Sequence, residues 1–166
     1  MAALAYIGLG SNLDHPRRHV ARALAELARL PRSRVLAASS NYVSAPLDCA
    51  EPQPDYVNAV AVLRTDLSPR MLLARMHSIE RRHRRTRAAR NAPRTLDLDL
   101  LLFGRRRARQ PSLALPHPRM HQRAFVLKPL SDVAPAASVP GYGAVRPLLR
   151  AVREQRLRPT RRHAWR

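Results

Sequence analysis

The chain has 166 residues, 45% of them hydrophobic, and carries 31 Lys plus Arg against 11 Asp plus Glu, a formal net charge of +20. That length fits one domain able to bury a core, and that hydrophobic share excludes an intrinsically disordered chain. One cysteine, Cys49, excludes an internal disulfide framework and a cysteine zinc site, while the short apolar start and the lack of any stretch near the roughly 20 residues of a membrane span make a cytoplasmic location the expectation.

Ala3 to Leu9 is a short apolar run ending in Gly8-Leu9-Gly10-Ser11-Asn12, which reads as a buried strand entering a turn. From Pro16 to Leu30, Val20, Ala23, Leu24, Leu27 and Leu30 recur at helical spacing, with Asp14 the expected N-cap. Val35 to Val43 and Tyr56 to Leu63 are rich in β-branched and aromatic residues and read as two strands flanking a proline-rich loop from Ser44 to Asp55. Ser68 caps a second helix with Pro69 at its first position, and Met71, Leu72, Arg75, Met76, Ile79 and Glu80 carry it to about His83. An arginine-dense connection leads to a strand from Leu96 to Phe103, bounded by Pro93 and Gly104. Leu113 to Pro118 then precedes a short helical stretch from Met120 to Leu127. The tail from Arg146 to Arg166 holds eight arginines and one acid and is either a final helix or a basic, partly disordered end. The order β-α-β-β-α-β with helical additions predicts an α+β fold of the ferredoxin-like type, a mainly antiparallel sheet with helices packed on it, in a single domain over residues 1–166.

The sharpest chemical signal is Pro93-Arg94-Thr95-Leu96-Asp97-Leu98-Asp99-Leu100. A strand alternates faces, so Asp97 and Asp99 point the same way with Cα atoms roughly 6 to 7 Å apart, while Leu96, Leu98 and Leu100 face the core. Two readings are open. The carboxylates sit on a solvated face and pair with arginines, or they share Mg²⁺ that bridges to phosphates, which would relieve their mutual repulsion. Arg85, Arg87, Arg90 and Arg94 arrive just before the strand, so cations for phosphate oxygens and carboxylates for metal lie in one segment.

Three further groups carry alternatives of their own. His117 lies between Pro116 and Pro118, which display its imidazole either to a phosphate or simply to solvent. Gly8 and Gly10 lack the full G-x-G-x-x-G pattern and serve either a phosphate loop or tight packing of the first turn. Tyr56 and Asn58 share a strand face, where a ring and an amide either bind a flat polar heterocycle or form a core tyrosine beside a turn-capping asparagine.

Four segments, in order, resemble the 6-hydroxymethyl-7,8-dihydropterin pyrophosphokinase family: Y-I-G-L-G-S-N-L, Q-P-D-Y-V-N-A-V, P-R-T-L-D-L-D-L-L-L-F-G, and P-H-P-R-M-H-Q-R-A-F-V-L-K-P-L followed by D-V-A-P. The resemblance spans about residues 4 to 135 and implies a ferredoxin-like folate-pathway enzyme. In that reaction the hydroxymethyl oxygen of the pterin attacks the β-phosphorus of ATP and AMP leaves, with no covalent enzyme intermediate. By matching positions, Asp97 and Asp99 would hold two Mg²⁺ ions, and Arg85, Arg94, His117 and Arg123 would neutralise phosphate charge. Tyr56 and Phe125 would sandwich the pterin, Asn58 would read its polar edge, and the stretch with Ser44, Pro46 and Leu47 would line the pocket. Leu73, His77 and Glu80 match positions near the nucleotide or supports beside it. The loops from Arg82 to Ala92 and from Ser44 to Pro54 would be mobile covers. A working monomer is the family expectation.

The chain departs from the family pattern at three places. Arg84 stands where many relatives end the second helix with glycine, Asn91-Ala92 replaces a frequent Trp-Gly in a loop one residue shorter, and Asp48 replaces a glycine of the pterin loop. The excess of arginine reflects either a genome-wide composition bias or attraction for polyanions. It is the whole argument for an alternative, a basic nucleic-acid-binding protein, which the seven Phe, Tyr and Trp residues supply with little base-stacking surface. Another alternative is a non-catalytic pterin or nucleotide binder. Neither a membrane nor a specific nucleic acid is an expected partner.

Overall fold

The computed structural model describes residues 1–49, 51–84 and 93–160. The main elements run β1 (Ala3–Ser11), α1 (Pro16–Ala28), β2 (Ser33–Ala38), β3 (Tyr42–Ser44), β4 (Tyr56–Thr65), α2 (Pro69–Arg82), β5 (Asp97–Phe103), β6 (Ala108–Gln110), β7 (Leu113–Leu115), a 3-10 turn at Met120–Gln122, α3 (Ala124–Val133), β8 (Ser138–Val139), β9 (Gly143–Ala144), α4 (Val145–Ala151) and β10 (Leu157–Pro159). An antiparallel sheet runs β10-β3-β4-β1-β5, with β2 also paired to β4. This is the expected α+β, ferredoxin-like arrangement.

Alternation along β4 divides the molecule into layers. Val57, Ala59, Ala61 and Leu63 join Val20, Leu24 and Leu27 of α1 and Leu72, Met76 and Ile79 of α2 in one apolar cluster. Val60 turns the other way, into a second cluster with Val126, Leu127 and Leu130 of α3 and Val145 of α4. A period of two in the strand thus buries both sheet faces against helices of period 3.6. Among the described residues, no helix is long and apolar enough to cross a membrane.

Several expectations need correction. The strand expected over Val35 to Val43 is two strands along the same edge of β4. Ser39 interrupts them: its hydroxyl accepts from Val60 N at 2.9 Å, where a ladder carbonyl would otherwise stand. The N-cap of α1 is His15 rather than Asp14, in left-handed backbone at φ 63 and without a side-chain cap. The stretch expected as one helix from Met120 is a 3-10 turn followed by α3, which continues through Pro129 to Val133. The tail contributes both a helix, α4, and an edge strand, β10, which pairs with β3. Ser68 does cap α2, accepting from Met71 N at 3.2 Å.

Candidate active site

Register assembles a floor on the α3 side of the sheet. Tyr42 stands opposite Asn58, Asn58 opposite Gly10, and Gly10 opposite Asp97, one row across four strands. Residues paired directly in an antiparallel ladder project to the same face. The flanking rows place Ser44 opposite Tyr56 on one side, and Val60, Gly8 and Asp99 in line on the other. Two strand spacings separate Asn58 from Asp97, roughly 10 Å.

Both glycines therefore lie within β1, neither in a phosphate loop nor in the first turn. Their missing side chains keep the floor low between the aromatic side and the carboxylates. A Cβ on Gly10 would meet Asn58 Oδ1 at 3.4 Å and Tyr56 Cδ1 at 3.9 Å.

The carboxylates have cationic company. Arg94 Nη1 lies 3.3 Å from Asp97 Oδ2, and the Arg94 guanidinium also bonds the Tyr56 hydroxyl. Burial disfavours its charge, but Asp97, Tyr56 and Asp99 outweigh burial and hold its pKa above the ordinary value. His117 Nε2 is 3.8 Å from Asp99 Oδ1, beyond hydrogen-bond length. Its Nδ1 accepts from Arg119 N at 3.3 Å, which leaves the proton of the neutral ring on Nε2, facing Asp99. Burial first, then Arg123, push the His117 pKa down to about 4 against the pull of Asp97. The ring is therefore neutral near pH 7 and offers a hydrogen bond rather than a charge. Arg123, at the entry to α3, is lowered by burial and by Arg119 while Asp99 and Asp97 pull the other way, and it lies over Phe125, 5.4 Å from the ring centroid.

The outer edge of β5 is finished by two neighbours. Glu80, 4% exposed, accepts from Leu98 N at 2.8 Å between the two aspartates, and Leu101 O accepts from His117 N at 2.9 Å. Both groups satisfy backbone atoms that an edge strand leaves open. Leu73 and His77 precede Glu80 by two and one turns on the same face of α2, and Leu73 packs against the first cluster.

On the aromatic side, Asn58 Nδ2 donates to Ser44 Oγ at 2.8 Å and to Tyr42 O at 3.4 Å, so its Oδ1 is the atom left on the Gly10 side. Leu47 is exposed and Pro46 half-buried at the rim. Arg85, named from the sequence, lies outside the described residues, as do Arg87, Arg90, Asn91 and Ala92.

Sequence reasoning missed Asn12 and Gln53. Asn12, 2% exposed, accepts from Arg94 N at 2.9 Å through Oδ1 and donates through Nδ2 to Gln53 Oε1 at 2.9 Å and Pro54 O at 3.0 Å. Gln53 Oε1 also accepts from Tyr56 OH at 3.3 Å. These two residues tie Arg94 to the loop before β4. The signal was the Asn that closes Gly8-Leu9-Gly10-Ser11-Asn12: a buried asparagine after a strand has bonds to satisfy.

A floor with an amide and a ring at one end, two carboxylates at the other and arginines over both can hold a flat polar molecule beside a polyphosphate. Comparison with known proteins agrees. The sequence profile described as 7,8-dihydro-6-hydroxymethylpterin-pyrophosphokinase (HPPK) matches residues 6–135. A 2-amino-4-hydroxy-6-hydroxymethyldihydropteridine pyrophosphokinase of Pseudomonas aeruginosa is 48% identical over 135 residues, 81% of this chain and 83% of that protein. One of Haemophilus influenzae with the same name is 39% identical over 153 residues, 92% of this chain and 95% of that protein. Among solved structures, a Plasmodium falciparum HPPK-DHPS is similar in fold, with TM-score 0.72 at 12% identity. The similarity covers 91% of this chain and 45% of the larger one.

Proposed function

The chain belongs to the 7,8-dihydro-6-hydroxymethylpterin-pyrophosphokinase family, and on that premise we propose how its residues divide the work. The activity is that of an ATP-dependent diphosphotransferase of folate biosynthesis: diphosphate passes from ATP to the hydroxymethyl group of 6-hydroxymethyl-7,8-dihydropterin, and AMP is released. One bond forms, from the hydroxymethyl oxygen to the β-phosphorus, and the bond from that phosphorus to the oxygen of AMP breaks.

Asp97 and Asp99 would hold Mg²⁺, as two ions. The donor set supports it, since two carboxylates on one strand face are hard oxygen ligands of the kind Mg²⁺ takes. Bound there, Mg²⁺ supplies charge neutralisation on the triphosphate. Arg94 and Arg123, with Arg85, bind phosphate oxygens, and His117 presents its Nε2 proton to one of them. Tyr56 and Phe125 stack on the pterin, Asn58 Oδ1 accepts from its polar edge, and Ser44, Pro46 and Leu47 wall the pocket. Leu73 and His77 face the nucleotide, while Glu80 fixes the backbone between the aspartates. Positioning and electrostatics, rather than a covalent nucleophile, carry the rate.

The observation that supports this division most is the row Tyr42, Asn58, Gly10, Asp97, which sets the pterin reader and the metal ligand on one level floor. The nucleic-acid alternative is not favoured, because net charge explains none of the pattern matched over residues 6–135. Asp97→Asn separates the enzyme from a non-catalytic binder. We expect AMP formation to fall by at least about 100-fold while ATP-independent pterin binding persists; turnover within a few fold of the parent would remove Asp97 from the metal site. We also place the chain in the cytoplasm as a single-domain monomer. A stable dimer by size-exclusion mass would contradict the last point.

A further inference from the structure

Phe125 stands on α3 and Asn58 on β4, so the gap between them depends on how α3 is held over the sheet. The second apolar cluster, with Val126, Leu127 and Leu130, holds α3 against the sheet, and that attraction is non-directional. Polar ties do have direction: Gln155 Oε1 accepts from Ala124 N at 2.9 Å at the start of α3, and a second bridge joins its far end to β3. Tyr42, 7% exposed, donates its hydroxyl to Asp132 Oδ2, and Lys128 Nζ bonds the other oxygen of Asp132 at 2.9 Å while lying 5.9 Å from the Tyr42 ring centroid.

The ends of this bridge matter for what they carry. Asp132, Lys128 and Phe125 lie on one stripe of α3, with Phe125 two turns, roughly 10 Å, before Asp132. Tyr42 belongs to β3, a strand of three residues, and stands opposite Asn58. The same strand supplies both acceptors of the Asn58 amide, Tyr42 O and Ser44 Oγ. A shift of β3 against α3 therefore changes the orientation of the Asn58 amide and the height of Phe125 above the floor together. A strand so short has few ladder bonds to resist that shift.

We propose that Tyr42 and Asp132 are positioning residues for the pterin: their hydroxyl-carboxylate bond, braced by Lys128, fixes α3 over β3 and so sets the gap between Phe125 and the Asn58 floor. The inference rests on the assignment of that slot to the pterin. It predicts a selective effect, because the bridge joins the elements that carry Phe125 and the Asn58 acceptors, while Asp97 and Asp99 stand on β5.

The test uses the full chain with Tyr42→Phe, Asp132→Asn and the double variant. Dissociation constants for 6-hydroxymethyl-7,8-dihydropterin and for ATP with Mg²⁺ are measured separately by calorimetry, beside KM values, with folding followed by circular dichroism. Each single variant is expected to weaken pterin binding about tenfold and ATP binding less than about twofold, and the double variant to be no worse than either single one, as for two ends of one bond. Asp132→Glu, which keeps the acceptor, should recover part of the loss. Unchanged pterin affinity, equal losses for both substrates, or additive losses in the double variant would each overturn the proposal. Failure of the parent protein to bind the pterin at all would instead overturn the slot assignment, and the inference with it.

Discussion

Asp48 and Arg84 occupy left-handed backbone, at φ 52 and φ 55, where a β-carbon crowds the following carbonyl. They stand at two of the positions where the sequence departs from the glycine expected of the family, and both lie in backbone that glycine favours. Aspartate tolerates that region through its short polar side chain, whereas arginine has no such compensation. Arg84→Gly should therefore stabilise the protein by about 1 kcal/mol, a rise in Tm of roughly 2 to 4 °C for a chain of this size. Arg84→Ala removes the same charge but keeps the β-carbon and should leave Tm nearly unchanged. A thermal melt of the three proteins decides it; equal Tm values for the Gly and Ala variants would contradict the strain argument.

The elements around the aspartates are joined by a histidine pair. His83, fully buried at the end of α2, bonds Glu26 Oε2 of α1 through Nε2 at 2.7 Å and meets His19 Nδ1 through its own Nδ1 at 2.6 Å. Its carbonyl accepts from Thr95 Oγ1 at 2.6 Å, which couples both helices to the segment entering β5. Glu26 Oε2 accepts from His83 Nε2, and the two Nδ1 atoms share one hydrogen bond between the rings. Burial lowers the His19 pKa, His83 and Arg22 add to the shift, and Asp14 opposes it. Glu26 is lowered too, since its bonds to His83 and Arg82 outweigh a burial that would raise it. For His19 the unfolded chain takes up its proton first, near the ordinary 6.5, so the stability from the neutral ring is complete above that pH and is lost as pH falls below it. Melts at about pH 7.5 and about pH 5.5 should show a smaller acid-side loss of Tm in His19→Asn, which keeps a hydrogen-bonding amide near the Nδ1 position but does not titrate. Parallel slopes in the two proteins would contradict this assignment.

At the scale of the whole molecule, what could be read from the sequence was whatever is decided locally. Alternation in Asp97-Leu98-Asp99 placed both carboxylates on one face, and Ser68-Pro69 marked the start of α2, because each signal lies within a few residues of its effect. The floor was not legible in the same way. That Gly10 separates Asn58 from Asp97 depends on the register of three strands far apart in sequence, and a glycine beside a turn signal looks the same in a loop and in a strand. Asn12 and Gln53 were missed for a related reason, since a lone polar residue does not announce that its partner lies 41 positions away. The tail was ambiguous because β10 is three residues long, includes Pro159, and gains its strand conformation from β3 rather than from its own propensity. The net charge of +20 was the most conspicuous property and located nothing. It is the few arginines over the floor, Arg94 and Arg123 among them, that meet the carboxylates.

Whether this floor aligns a pterin alcohol with the β-phosphorus of ATP is decided by the nucleotide product. Purified protein is mixed with ATP, Mg²⁺ and 6-hydroxymethyl-7,8-dihydropterin, and AMP and ADP are quantified. AMP should form in step with pterin diphosphate, requiring both pterin and metal, with no ADP. ADP in place of AMP, or AMP that forms without the pterin, would contradict it.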